Sequence, residues 1–438
     1  NRRRLVTAFL SGAPGGREVE PVRYGRTLIG GLVLAGMLVA GAAVSGFLKP
    51  TVPRDWLDSG LVIGKSSGSR FVALKGTLYP VINATSARLI LAQRGQLRVD
   101  FVPDDKIAAQ QQGYTLGIPG APDILPTPTH LVKSGWSACT NTSGGIKVGM
   151  NERPGVDPAR NQAFRVTAGG TEYVVIGDHR YPLAGDATAT LRALRLDSQT
   201  PVNVPGEWLD LFEQGTALQP FPVSGSGQHV STGISGLDTV GTPVTVGDRH
   251  YVLGSTGALL PLTPFAWTVY RSAGIGAEMP VDRLTAGRAA GLSTDSKVQD
   301  APYPSDWPDQ DVTPYASTTS PCARLDAHKG EAPRTLLATP RGDRALPESS
   351  GIAQQVQPGR GALVRASAAG NLNTGRVYLV DASGTHYPVG DETSERAAQS
   401  ALGYGRVTPV PVPQAWLPLF ADGPVLAREA AVQPVGSR

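Results

Sequence analysis

The longest apolar pattern lies near the start of the chain. From Leu28 to Leu48 it reads LIGGLVLAGMLVAGAAVSGFL, about 21 residues without a charge, and a helix of that length spans a bilayer core of about 30 Å. The pattern predicts one transmembrane helix over 28–48. Arg23 and Arg26 precede it and Lys49 follows, but with Arg2, Arg3, Arg4 and Arg17 the excess of arginine is N-terminal. The positive-inside rule then keeps residues 1–27 cytoplasmic and places the rest outside. A cleaved signal peptide is one alternative, with a shorter apolar core of about 7–15 residues and a small-residue site such as Ala42 and Ala43. A buried core helix is the other. Gly36 with Ala40, and Gly41 with Ser45, give a small-residue spacing that lets a second helix approach. Within residues 1–12, Leu5, Ala8 and Phe9 recur at helical spacing opposite the arginines. That pattern fits either a short amphipathic helix on an anionic leaflet or a plain basic flank.

Beyond the span the hydrophobic period shortens to two, and one pattern recurs four times. SRFVALKGTLYPV from Ser69, TEYVVIGDHRYPL from Thr171, DRHYVLGSTGALLPL from Asp248 and GRVYLVDASGTHYPV from Gly375 each predict strand, tight turn, strand. A helix-tolerant stretch follows each hairpin and runs into VPDDKI at Val102, VPGEWLDLF at Val204, MPVDRL at Met279 and VPQAWLPLF at Val412. Pro at the first helical turn with Trp208 or Trp416 behind it predicts a short helix with an aromatic anchor in a small core. The fold class expected is α+β: four small repeats at 60–120, 166–220, 236–300 and 371–432 around a β-rich central domain. The central domain is assigned 121–165 and 301–370. The Pro-rich tracts IPGAPDILPTPTH and APYPSDWPDQDVTPYASTTSP are expected to supply its extended strands.

Composition adds turn-richness: charged residues are 17%, with 53 Gly and 37 Pro among 438 residues. A net charge of +4, concentrated before the span, gives no basis for nucleic-acid binding. The only two cysteines, Cys139 and Cys322, fall at nearly equal distances beyond the first and third hairpins. The chain therefore reads as two copies of repeat, cysteine segment, repeat, related by a pseudo-twofold axis. Both cysteines lie outside the membrane on this topology and lack metal-ligand spacing, which favours a disulfide. Closing a loop of roughly 180 residues restricts the unfolded chain by up to about 5 kcal/mol on the chain-entropy model.

Candidate chemistry is sparse. Gly60-Leu-Val-Ile-Gly64-Lys65-Ser66-Ser67-Gly68 contains GKS and GxSxG strings, but a phosphate loop needs four residues between its glycines and has three here. A nucleophile elbow needs a helix after the serine, whereas Ser69 begins a predicted strand. His179, His250 and His386 sit in the hairpins beside Tyr, where turn contacts are the ordinary role. Asp178, Asp248, Glu207 and Asp210 sit near turns, where carboxylates cap or face solvent. No catalytic, cofactor or metal site is assigned.

These features together resemble the EccB component of mycobacterial type VII (ESX) secretion membrane complexes. The resemblance rests on RRRLVTAFL before the span, the single helix, WLDSGLVIGKSSGSRFVALKGTLYPVINATSARLIL outside it, the YP hairpins and two widely spaced cysteines, and covers essentially the whole chain. It implies a single-pass inner-membrane protein with an elongated periplasmic domain of four repeats around a central β-rich domain. It also implies a cysteine pair corresponding to Cys139 and Cys322. The implied partners are EccC, EccD and EccE type components, further copies of the chain and a membrane-anchored subtilisin-like protease. The implied role is structural, in a translocation assembly powered by another subunit's ATPase. Nucleotide hydrolysis, suggested for the family, gains no support from this sequence. A membrane-anchored peptidoglycan-binding module is the alternative, and a hydrolase with an unrecognised site the third reading.

Overall fold

A helix occupies Tyr24–Leu48, and on it Leu28, Ile29, Leu32, Leu34, Leu38 and Val39 are all exposed. The computed structural model describes residues 6, 9, 24–48, 52–92, 97–141, 143–292, 301–315, 320–327, 331–341, 350–367 and 374–436. The helix measures about 38 Å at 1.5 Å per residue. Its side chains are described only at Gly25 and 28–42, and within the described residues no helix is long and apolar enough to cross a membrane. The expected span, ending at Leu48, is longer than that stretch. Of the expected amphipathic segment only Val6 and Phe9 are described, both exposed; the remainder lies outside the described residues.

The first repeat shows how each unit is built. β1 (Ser59–Gly64), β2 (Arg70–Leu74) and β3 (Thr77–Pro80) form an antiparallel meander. The β2–β3 turn uses Lys75 and Gly76, both at positive φ, as a tight twisted hairpin requires. The helix Ala84–Leu91 then carries the chain across, and β4 (Val99–Val102) lies parallel to β1. Asn83 starts that helix because its side-chain oxygen accepts from the Ser86 N–H at 2.9 Å. Sheet order is β3-β2-β1-β4, followed by a helix at Asp104–Ala108.

The remaining strands follow in chain order. β5 (Trp136–Thr140), β6 (Ile146–Met150) and β7 (Val156–Pro158) enter the central sheet. β8 (Gln162–Ala168), β9 (Thr171–Ile176), β10 (His179–Pro182), β11 (Val202–Asn203) and β12 (Glu213–Gln214) make the second repeat. β13 (Pro243–Val246), β14 (Arg249–Leu253), β15 (Leu259–Leu262) and β16 (Asp282–Leu284) make the third. β17 (Thr313–Pro314) adds to the second sheet, and β18 (Cys322–Asp326), β19 (Arg334–Pro340) and β20 (Ile352–Val356) return to the centre. β21 (Ala362–Ser367), β22 (Val377–Val380), β23 (Thr385–Pro388), β24 (Val410–Pro413) and β25 (Ala421–Asp422) complete the fourth repeat.

Two expectations need correcting. Each repeat begins one strand earlier than its YP hairpin, so β8 and β21 belong to repeat sheets although 121–165 and 301–370 assign them wholly or partly to the centre. β21 is the clearer case: it is buried at five of its six positions, and a strand covered on both faces shows a continuous apolar run instead of alternation. The central strands also start after the Pro-rich tracts, at WSACT and CARLD. The tracts themselves supply one 3-10 turn at Pro128–His130 and the two-residue β17, since Pro donates nothing to a ladder.

A further repeated segment closes three of the four units. Gly113, Gly215 and Gly423 donate their N–H groups to Leu78, Arg180 and His386, and three residues on Leu116, Leu218 and Leu426 donate to Pro80, Pro182 and Pro388. The glycines lie against the rings of Tyr79, Tyr181 and Tyr387, so closely that an added Cβ would collide with each ring. The hairpin tyrosine and a G-x-x-L segment far along the chain are thus one device.

The packing exchanges the two halves of the chain. Repeats 1 and 4 share one core, through Val72, Leu89, Leu379 and Tyr387, and repeats 2 and 3 share another, through Val174, Tyr181, Val252 and Phe265. The largest core joins repeats 2 and 4 to the central sheet and contains Trp208 and Trp416, which are therefore not anchors of separate small cores. The Trp208 indole N–H donates to the Ala138 carbonyl at 2.9 Å, and that of Trp416 to the Thr335 hydroxyl at 2.9 Å. Trp136 packs edge-on against Trp416 and Phe420. Trp416→Ala is expected to lose about 3–5 kcal/mol in denaturant unfolding, the range for truncating a large buried aromatic. Gly215→Ala is expected to lose about 1–3 kcal/mol by overpacking against Tyr181, whereas Gly233→Ala, which meets no neighbour, should lose only the cost of its positive φ.

Candidate functional site

The cysteines meet at the middle of the central sheet. Its order is β20-β6-β5-β18-β19-β7, so the two halves meet at its middle through the antiparallel pair β5 and β18. Cys139 and Cys322 are direct register partners with Cα atoms 3.9 Å apart, and their sulfurs are bonded across a separation of 183 residues. Both are buried, beside Val156 and Ala338. The outer strands are exchanged: β20 of the second half pairs with β6 of the first, and β7 of the first pairs with β19 of the second.

The glycine-rich turn after β1 is closed by the chain itself. The Asp104 carboxylate, at the start of the helix 104–108, accepts from the Ser66 N–H at 2.9 Å and from the Ser67 hydroxyl. Those bonds, the hydroxyl first, hold the Asp104 carboxyl below the usual carboxylate range. Gly64 is needed because a Cβ there would strike Ser67 and Asp104. A phosphate approaching these donors would have to displace a carboxylate already bound to them, and Lys65 points to solvent. The chain after Ser67 enters β2 and no helix follows the turn.

The histidines serve three different contacts. His179 Nδ1 lies 2.8 Å from Asp178 Oδ1 and its ring stacks on Tyr181; the bond to Asp178 raises its pKa against the opposing effect of burial. They sit in a cleft with Arg160, Asp306 and Arg334, where Asp306 also accepts from the Thr216 N–H at 2.6 Å. His250 stacks on Trp267 at 4.5 Å and burial lowers its pKa. His386 is 3.2 Å from Asp422, yet burial outweighs that charge and its pKa is lowered too. Asp210 pairs with Arg180, Glu207 sits in the first turn of the helix 206–209, and Asp248 precedes β14. These acids lie at separate helix and strand ends. Among the described residues no group of three or more His, Cys, Asp or Glu side chains is placed to hold a metal.

The organisation that recurs through the chain is thus a disulfide-joined centre with two pairs of repeats. A family model described as "Type VII secretion system ESX-1, transport TM domain B" matches residues 1–435. The chain belongs to this family, EccB. It is 25% identical over 438 residues to the "ESX-1 secretion system ATPase EccB1" of Mycobacterium tuberculosis, covering 93% of this chain and 87% of that protein. It is 26% identical to the M. tuberculosis "ESX-2 secretion system ATPase EccB2", covering 92% and 87%. The fold matches a chain of an intact ESX-5 inner membrane complex, with a TM-score of 0.67, 21% identity and coverage of 100% and 94%. It also matches the EccB3 dimer from the ESX-3 core complex, with a TM-score of 0.68, 22% identity and coverage of 85% and 100%.

Two measurements follow from these contacts. Gel mobility should differ with and without reductant, and a Cys139→Ala, Cys322→Ala double variant should lose up to about 5 kcal/mol of stability; equal mobility would remove the bond. In imidazole NMR titrations His179 should titrate above the ordinary value of about 6.5 and His386 below it. The His179 contribution to stability is then full below 6.5 and lost as pH rises through its folded value. The His386 contribution is full above 6.5 and lost as pH falls through its own.

Proposed function

We propose that this EccB-family chain is a structural subunit of a type VII secretion inner-membrane complex. It crosses the membrane once through 28–48, with residues 1–27 in the cytoplasm. The repeats and central domain stand on the periplasmic side, where they help assemble and stabilise the channel that exports small helical proteins. The observation that carries this reading is the family match from residue 1 to 435, which takes in the basic segment, the apolar helix and every repeat together. The solved chains of this fold come from an ESX-5 inner membrane complex and an EccB3 dimer, which supports membership of a larger membrane assembly and contacts with further copies of the chain; the other partners of this reading are EccC, EccD and EccE type components and a membrane-anchored subtilisin-like protease. An oxidising periplasm suits the bonded cysteine pair.

The relatives carry the word ATPase, but we assign energy supply to a different subunit. Three residues between Gly60 and Gly64, and a turn closed by Asp104, leave no ring of free N–H groups for a triphosphate. The purified chain should therefore show an ATP hydrolysis rate that Lys65→Ala does not change; a rate above background that this variant abolishes would overturn the assignment. For the assembly itself, tagged chain purified from detergent-solubilised membranes of its own host should bring down a large multi-protein complex. Recovery of the chain alone, held on cell-wall material, would favour the peptidoglycan-binding reading instead.

A further inference from the structure

Exposed apolar side chains are distributed unevenly over the exported part. Of the eight large ones beyond residue 52 among the described residues, five lie within the first repeat and a sixth, Ile124, just after it. A seventh, Val435, has its N–H bonded to Thr115 of the same repeat. Repeats 2 and 3 contribute none. The densest cluster runs along the edge strand β4 and the two residues before it, where Leu97, Val99 and Phe101 alternate and are 37%, 40% and 59% exposed.

The other repeats provide an internal comparison. In each, a buried Val or Leu stands at or within one residue of the end of the edge strand and is followed by the residue that starts the next short helix: Val102 and Pro103, Val204 and Pro205, Leu284 and Thr285, Val412 and Pro413. One position earlier stands the outward residue: Phe101 in repeat 1, but Asn203, Arg283 and Pro411 in the others. Polar, charged and Pro residues are the ordinary protection of an exposed sheet edge. Repeat 1 departs from it.

We infer that this edge of the first repeat is a lipid-contacting surface, seated in the interfacial zone of the bilayer next to helix 24–48. The inference rests on the reading of that helix as membrane-spanning. Only ten residues, 49–58, separate the helix end from β1, which holds the repeat within about 35 Å of it even if fully extended. An aromatic ring and aliphatic neighbours facing one way suit the headgroup boundary, where water still reaches the unpaired backbone groups of an edge strand. Two lysines flank the stripe. Lys65 donates its backbone N–H to the Val102 carbonyl, Lys106 lies on the helix just after β4, and both are exposed with no ion pair among the described residues. Their ammonium groups are placed to meet anionic phosphate headgroups while the apolar stripe enters the boundary.

The test uses the full chain in anionic phospholipid vesicles. With the native cysteines bonded, Phe101→Cys, Arg283→Cys and Leu38→Cys each supply a single thiol for an environment-sensitive fluorophore, read with and without a lipid-borne quencher. Position 38 reports the span, 101 the proposed seat and 283 the matching edge of repeat 3. Quenching by half or more at 38 and 101, with little at 283, is the expected result. Quenching at 38 without 101 would overturn the seat and leave the span intact; quenching at neither would overturn both. Oxidative cross-linking between copies through residue 101, without lipid quenching, would assign the edge to a second copy of the chain and likewise overturn the inference.

Discussion

The pairing of β5 with β18 is the constraint on which the rest of the molecule hangs. It joins the two halves at the middle of the central sheet, and the Cys139–Cys322 bond fixes its register. A one-residue slip would turn Trp136, Ala138 and Ala323 away from the core they share with Trp208 and Trp416. The covalent bond therefore does more than close a long loop. It holds in place the surface onto which repeats 2 and 4 pack.

From that surface outward the halves are interleaved. Repeat 1 packs on repeat 4 and repeat 2 on repeat 3, while β7 and β20 cross to the other half's strands. Repeats 1 and 3 each keep a small core of their own, but the larger cores draw on both halves. The arrangement suits a rigid body, and the chemistry at the turns agrees: the groups that look reactive in isolation, Ser67, Asp104, His179 and Asp210, are each engaged by another side chain.

The hairpins and the helix-opening prolines could be read along the chain because each is a local signal with its own turn or cap, and the cysteine pairing because the chain has two cysteines and so one way to join them. The first strands of the repeats could not, because a strand covered on both faces loses the alternation that marks one. The G-x-x-L segments were invisible for another reason: four residues of weak pattern acquire meaning only when the tyrosine they lie against, some 34 to 36 residues earlier, is in place. Trp208 and Trp416 announced a core but not whose core it was, since a buried aromatic says nothing of how many elements surround it.

The interleaving also sets an order of events. A ribosome completes repeat 1 long before repeat 4 exists, and the face carrying Val72 and Leu89 stays bare until Leu379 and Tyr387 are made. Contacts so distant in sequence make assembly slow and leave an early intermediate with uncovered apolar surface. Maturation of this domain is thus a matter of timing: the first repeat waits for the last, and the sulfur bond can form only after the second half has arrived to present its cysteine.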